Sequence, residues 1–288
     1  MKNLIKINVD FEELDNYKFI MDEPFSLEVN YNHVKYNFII KFSSNNNNLI
    51  CCAPGAQDRN KRTSQGELIK PPYFDRWSWF KYFEESFIAF SDPIFYYDKE
   101  ITLGWCVGDK NQWYAENISL IIQKLAKNQE IINENILFFA SSGGGFVSII
   151  LATLIKGSKC VVNNSQFSIF NFYETHINRL FKFLENSFRL NKSEITDKID
   201  YRLDLIKLFK KENYMPSITY YVNACSKYDI KYHAMPFIEN VMFIPQFKDN
   251  LNVHYYHEYK DFPHNPMSTD KILVILKNFI KINLYNNF

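Results

Sequence analysis

The sequence predicts an α/β fold: a mostly parallel central sheet flanked by helices, with a small helical cap. Three observations predict it. Through the second half of the chain, short apolar runs alternate with stretches of helical period, the order that a parallel sheet with crossover helices produces. The run Ile136-Leu137-Phe138-Phe139-Ala140 is apolar without interruption, as a strand buried on both faces must be. Three of the eight glycines, Gly143, Gly144 and Gly145, stand in a row just after that run, where a strand has to turn sharply into a helix.

The elements follow in order. Residues 35–42 and 49–53 read as strands around the turn Asn45-Asn46-Asn47-Asn48. Residues 54–86 carry Pro54, Gly55, Gly66, Pro71 and Pro72 and read as irregular. Residues 87–91 form the next strand, ended by Asp92-Pro93. Trp113, Ile118, Ile121, Ile122 and Leu125 recur at helical spacing within 110–129. A helix over 143–156, a strand over 159–163 and two helices, or a cap, within 174–213 follow, the cap insertion spanning about 170–213. Strand 217–223, a helix near 234–244, strand 251–258 and a closing helix at about 269–283 complete the chain. The 288 residues, 47% of them hydrophobic, suit one domain over 1–288 with a large core.

Composition narrows the function. The formal net charge is +1, which lacks the basic signature of nucleic-acid binding, so no nucleic-acid partner is expected. The five cysteines are odd in number and show no C-x-x-C spacing; they read as free thiols in a reducing compartment, and no metal cluster is evident. The start of the chain lacks a signal-peptide pattern, and no apolar run reaches membrane-spanning length. The expected location is the cytoplasm, with peripheral association at the inner face of the membrane left open. The 27 Phe and 19 Tyr read as core material or, for Tyr73, Phe74, Trp77, Trp79 and Phe80, as a wall or sugar platform beside a site.

The segment Ala140-Ser141-Ser142-Gly143-Gly144 has the form small-x-Ser-x-small between a buried strand and an apolar helix. That context fits the nucleophile elbow of the α/β-hydrolase fold. Small residues are required because the strand and helix pack close behind a strained serine. A phosphate loop would need Lys-Ser/Thr after its glycines, and Phe146-Val147 follow instead. Ser142 is therefore the expected nucleophile, with Gly143 N–H as one oxyanion donor at the positive end of the helix. The second donor is expected from 54–57, from Gly55 or Ala56.

In this fold the acid and then the histidine follow the nucleophile along the chain, on loops after late strands. His33 and His176 lie in the wrong places, and His254 and His257 fall inside a predicted strand. His264, in Phe262-Pro263-His264-Asn265-Pro266 before the last helix, is the expected base, with His257 behind it. Asp229, on the loop after strand 217–223, is the expected acid, ahead of Asp249 and Asp261.

These residues also carry a resemblance. Ala140-Ser141-Ser142-Gly143-Gly144-Gly145 resembles the Gly-Ser-Ser-x-Gly-Gly elbow of bacterial capsule polysaccharide O-acetyltransferases of the meningococcal serogroup A type. Asp229-Ile230-Lys231-Tyr232-His233 is similar to that family's acid loop, and His264-Asn265 resembles its His-Asp after the final strand. The resemblance spans about 136 to 270, with Ala140 in place of the first glycine and Phe262-Pro263 where the family has glycines. It implies a Ser142–His264–Asp229 triad, acetyl-CoA as acyl donor with no bound cofactor, and a sugar hydroxyl of a capsular polymer as acceptor. Association with capsule assembly machinery and homo-oligomer formation are compatible with it. Two other readings share the fold: an esterase or deacetylase using the same triad, and a non-catalytic partner in glycan assembly or secretion.

Overall fold

The computed structural model describes residues 4–284. Among the described residues nine strands form one sheet: β1 (Ile5–Asp10), β2 (Phe25–Tyr31), β3 (Val34–Lys41), β4 (Leu49–Cys52), β5 (Ser86–Phe90), β6 (Ile136–Ser141), β7 (Lys159–Asn163), β8 (Ser217–Asn223) and β9 (Leu251–Tyr256). Their order is β1-β2-β3-β5-β4-β6-β7-β8-β9. From β5 to β9 every pairing is parallel, whereas β3 pairs antiparallel with both β2 and β5. The mostly parallel sheet read from the sequence is the observed one.

The helices are α1 (Ile94–Tyr97), α2 (Tyr114–Asn128), α3 (Ser142–Leu154), α4 (Glu174–Phe188), α5 (Lys192–Leu203), α6 (Leu205–Glu212), α7 (Lys227–Asp229), α8 (Met235–Met242) and α9 (Thr269–Asn283). Side chains alternate across the central strands. Ile136, Phe138 and Ala140 of β6 enter the core that α2 to α6 and α8 cover. Leu137 and Phe139 enter a second core closed by Ile272, Leu276 and Ile280 of α9 and by Trp79. Burial on both faces explains why β6 shows no polar alternation. The spacing i, i+4, i+8 on α9 gives it one apolar stripe for that face.

Two features differ from the sequence reading. Strands β1 and β2 precede the elements read from the sequence. The Asn45–Asn48 stretch (45–48) does link two strands, β3 and β4, as read, but β5 lies between them in the sheet, pairing Phe38 with Phe90 on one side and Cys51 with Ile88 on the other. Residues 174–213 hold three helices rather than two, because Asn191 and Asp204 each cap a new start. Asn191 forms a capping box with Glu194, and Asp204 accepts from Ile206 N and Lys207 N. The third, α6, packs on α3 and α8 and so joins the layer over the sheet. Among the described residues no helix is long and apolar enough to cross a membrane.

Candidate active site

Ser141 ends β6 and Ser142 opens α3, with Ser142 at φ +54°, a left-handed backbone that non-glycine residues rarely hold. Close packing behind the turn explains the small neighbours. A Cβ on Gly144 would lie 3.0 Å from Ala140 Cβ and from the Ala53 and Pro54 carbonyl oxygens. One on Gly143 would meet Leu103 at 2.7 Å, and one on Gly145 would meet Ser165 Oγ at 2.5 Å. The three glycines thus let β6, α3 and the loop after β4 converge on one point.

At that point three distant segments meet. Ser142 Oγ lies 2.8 Å from His264 Nε2, and His264 Nδ1 lies 2.7 Å from Asp229 Oδ1. Asp229 stands on the single turn α7 after β8, fully buried, and its other oxygen accepts from Ser226 Oγ. A buried carboxylate facing Nδ1 fixes the proton there, so Nε2 is the acceptor for the Ser142 hydroxyl. The structure therefore brings together the three residues picked from the sequence.

The loop bearing His264 is held by three asparagines at the ends of neighbouring strands. Asn164 Nδ2 reaches His264 O at 3.1 Å and Asn265 O at 3.2 Å, while its Oδ1 accepts from Asn223 N at 2.9 Å. Asn223 Nδ2 donates to Glu258 O at 2.7 Å and Pro263 O at 3.1 Å. Asn163 Oδ1 accepts from Met267 N at 2.7 Å. All three are buried, so each amide group needs these partners.

Ser142 has one more partner. Gln166 Nε2 donates to its Oγ at 3.1 Å, and Gln166 Oε1 accepts from Trp105 Nε1 at 2.6 Å. Sequence reasoning missed Gln166 and the asparagines. The available signal was Asn163-Asn164-Ser165-Gln166, four polar residues at the end of a buried strand and just after it.

The two candidate oxyanion donors of 54–57 both line the cavity over Ser142. Gly55 N–H, however, donates to Asp75 Oδ2 at 2.6 Å, and Gln57 Nε2 reaches the same oxygen at 3.2 Å. Asp75 was not anticipated. The cavity measures about 650 Å³ and is lined by Phe74, Trp77, Trp79, Lys61 and Arg76 beside Ser142 and His264. The aromatic segment divides its roles. Tyr73 and Trp79 are buried, Trp79 stacking on Phe139, while Phe74 and Trp77 stay half-buried at the cavity. Arg76 donates to Ser141 Oγ at 2.9 Å and lies over the Trp79 and Phe139 rings.

The other candidates lie elsewhere. His254 stacks on Tyr221, His257 lines a separate surface pocket, and His176 contacts Thr102 Oγ1. His33 sits in the turn between β2 and β3 at φ +62°. Asp261 is exposed, and Asp249 lies in the short turn Lys248–Asn250. His233 is buried beside the triad with neither ring nitrogen hydrogen-bonded. Burial pushes its pKa down to about 4, against the pull of Asp229 and with the help of His264. Cys51, Cys52, Cys106 and Cys160 are buried free thiols whose pKa values burial raises. Among the described residues no cluster of three or more His, Cys, Asp or Glu could hold a metal ion.

A scan against protein-family profiles and a search of curated protein sequences return no match. Solved structures do match. The capsule O-acetyltransferase of Neisseria meningitidis serogroup A is 15% identical, with 88% of this chain and 96% of that one covered at a TM-score of 0.60. A histidine-to-alanine variant of that enzyme in complex with CoA matches at the same TM-score of 0.60 and 16% identity, over 87% of this chain and 96% of that one. A sugar hydrolase from Lactococcus lactis is 10% identical over 92% and 98% of the two chains, with a TM-score of 0.52. An esterase from Thermogutta terrifontis is 8% identical over 96% and 98%, with a TM-score of 0.51. With its strand order and its helices on both faces, the chain has the α/β-hydrolase fold, and its structural neighbours include the meningococcal capsule O-acetyltransferase.

Proposed function

We propose that this chain is a serine-dependent O-acetyltransferase that moves an acetyl group from acetyl-CoA to a sugar hydroxyl of a capsular or surface polysaccharide. The observation that carries this reading is the Ser142 Oγ–His264 Nε2 contact of 2.8 Å, formed by a serine held at φ +54° over an open cavity. The similarity to a capsule O-acetyltransferase, one form of which is in complex with CoA, supports the donor and the acceptor class. Lys61 at the rim offers positive charge to the phosphates of CoA, and Phe74 and Trp77 offer faces to a sugar ring.

The chemistry proceeds in two halves. His264 Nε2 takes the Ser142 proton as Oγ adds to the thioester carbonyl. Gly143 N–H meets the oxyanion, with a donor at Gly55 or Ala56 opposite. Collapse breaks the C–S bond, and the CoA sulfur leaves with the proton from His264. A sugar hydroxyl then loses its proton to His264 Nε2 while its oxygen attacks acetyl-Ser142. Collapse returns that proton to Ser142 Oγ and releases the acetylated sugar. Asp229 holds the imidazole and offsets its positive charge in both halves.

The test is to incubate the protein with acetyl-CoA, with and without a capsular oligosaccharide, and follow free CoA and acetylated sugar. Acceptor-dependent CoA release, abolished in Ser142→Ala, is the expected result. Acetyl release to water whether or not acceptor is present would make the chain an esterase, the reading that the sugar hydrolase and esterase neighbours favour. Failure of a fluorophosphonate probe to label Ser142 in the folded protein would instead leave a non-catalytic partner in glycan assembly.

A further inference from the structure

Ser142 Oγ is served by two side chains, and the triad accounts for only one of them. Gln166 is fully buried on the segment after β7 and is tied to Ser142 twice: its Nε2 donates to Oγ at 3.1 Å, and its backbone N–H donates to Ser142 O at 3.3 Å. The amide cannot turn over without loss, because Oε1 accepts from Trp105 Nε1 at 2.6 Å. A flipped amide would set N–H against N–H there and leave Oγ facing an oxygen.

The support behind Trp105 is costly in itself. Trp105 and the next residue, Cys106, both hold positive φ, +50° and +51°, and both are buried. Two successive non-glycine residues in that region persist only where surrounding contacts enforce them. Here the buried Asp92 does so, Oδ2 accepting from Cys106 N at 2.8 Å and Oδ1 from Ile94 N at 3.0 Å. A strained, buried corner thus points one indole N–H at one amide, and that amide at the hydroxyl of Ser142.

We propose that Gln166 is a catalytic residue: its Nε2–H stabilises Ser142 Oγ while that oxygen carries charge. This inference rests on the acyl-serine chemistry proposed above and adds a residue to it. In the first half the O–H bond of Ser142 breaks toward His264, and the Gln166 N–H meets the charge that builds on Oγ before the C–O bond closes. In the second half the C–Oγ bond of acetyl-Ser142 breaks as the acceptor's oxygen bonds to the carbonyl carbon. Oγ again carries charge until the proton on His264 reaches it. The donor gives up no proton in either half, so no further reactant is required. Oγ then has one hydrogen bond to Gln166, one to His264 and one lone pair left to attack.

The test compares wild type with Gln166→Met, which keeps the length and loses the donor, with Gln166→Glu, which keeps the acceptor toward Trp105, and with Trp105→Phe. Each full-length protein is checked for folding by its thermal melt. Fluorophosphonate labelling of Ser142 and hydrolysis of 4-nitrophenyl acetate are then followed, with acetyl-Ser142 measured by intact mass. Both Gln166 variants are expected to label and turn over about ten- to a hundredfold more slowly, the span a hydrogen bond to a charged atom corresponds to, with KM changed by less than about threefold. Trp105→Phe is expected to lose less. The double variant Gln166→Met/Trp105→Phe is expected to be no slower than Gln166→Met alone, because the indole acts through the amide. A wild-type chain that does not label overturns the acyl-serine reading together with this one. Labelled wild type with either Gln166 variant at wild-type rates, or with losses that add in the double variant, overturns the role of Gln166 alone.

Discussion

In the acyl-transfer mechanism proposed above, Asp75 occupies the place of the acyl oxygen at the candidate donor Gly55 N–H. Its Oδ2 accepts from Gly55 N–H at 2.6 Å and from Gln57 Nε2 at 3.2 Å, so one of the two backbone donors at the cavity already holds an anion. A carboxylate that accepts such hydrogen bonds competes with the weaker acceptor, a thioester or ester carbonyl. Its segment is anchored one residue on, where Arg76 bonds Ser141 Oγ and stacks on Trp79 and Phe139. Turning of the Asp75 side chain, rather than movement of the whole segment, is then the easy way to free Gly55. Asp75→Ala is expected to raise kcat/KM for 4-nitrophenyl acetate by about three- to tenfold, since a charge-assisted hydrogen bond no longer has to be exchanged. The same variant should become sensitive to millimolar acetate, which can refill the vacated donors. Steady-state rates with and without acetate measure both effects. A slower variant that acetate fails to inhibit would mean that Asp75 shapes the 54–57 loop instead of closing it.

At the level of elements, the site depends on how two strand ends grip one loop. Asn164 and Asn223 face each other across β7 and β8 and tie down the carbonyls of Glu258, Pro263, His264 and Asn265. Asn164→Ala leaves the carbonyls of His264 and Asn265 and the buried Asn223 N without their Asn164 partner, a loss of about 1–3 kcal/mol. Hydrogen exchange should quicken over 258–267, and kcat should fall although no triad side chain has changed. Unaltered exchange in that loop would show that proline packing alone holds His264. The same gripping arrangement explains what the sequence could and could not reveal. Ser142 was legible because its requirements are local: a buried strand, three glycines and an apolar helix in one stretch. His264 and Asp229 were legible because chain order in this fold fixes which loops can reach the elbow. Asn164, Gln166 and Asp75 owe their roles to partners 20 to 101 residues away in the chain, and their residue types alone carry no such signal. The four asparagines at 45–48 marked a break in the chain correctly, yet a turn signal says nothing about which strand pairs next, and β5 took the place beside β3.

Across the whole molecule, two buried titratable groups behind the site respond to acid in opposite senses. Asp92, behind Trp105, has its carboxyl raised to about 6 by burial, opposed by hydrogen bonds from Ile94 and Cys106. The folded protein therefore holds a proton on Asp92 between about pH 4 and pH 6 that the unfolded chain has released. Its contribution to stability is full below the unfolded value and is lost as pH rises through about 6. His233, behind Asp229, has its imidazole lowered to about 4, chiefly by burial. The unfolded chain takes up a proton below about 6.5 that the folded protein refuses, so this contribution stands at neutral pH and is lost as pH falls toward 4. Each shift corresponds to about 3 kcal/mol, and the two nearly cancel between about pH 4 and pH 6.5. Removing one should expose the other. Relative to wild type, Asp92→Asn is expected to lose stability on going from about pH 7 to about pH 4.5, and His233→Phe to gain it, each by about 2–3 kcal/mol. Urea unfolding at the two pH values measures this directly, and the exposed carboxylates common to all three proteins drop out of the comparison. If the unfolding free energies of both variants track wild type in parallel, the burial of these two groups does not set the acid response, and the scaffold behind Trp105 and Asp229 is better hydrated than its packing implies.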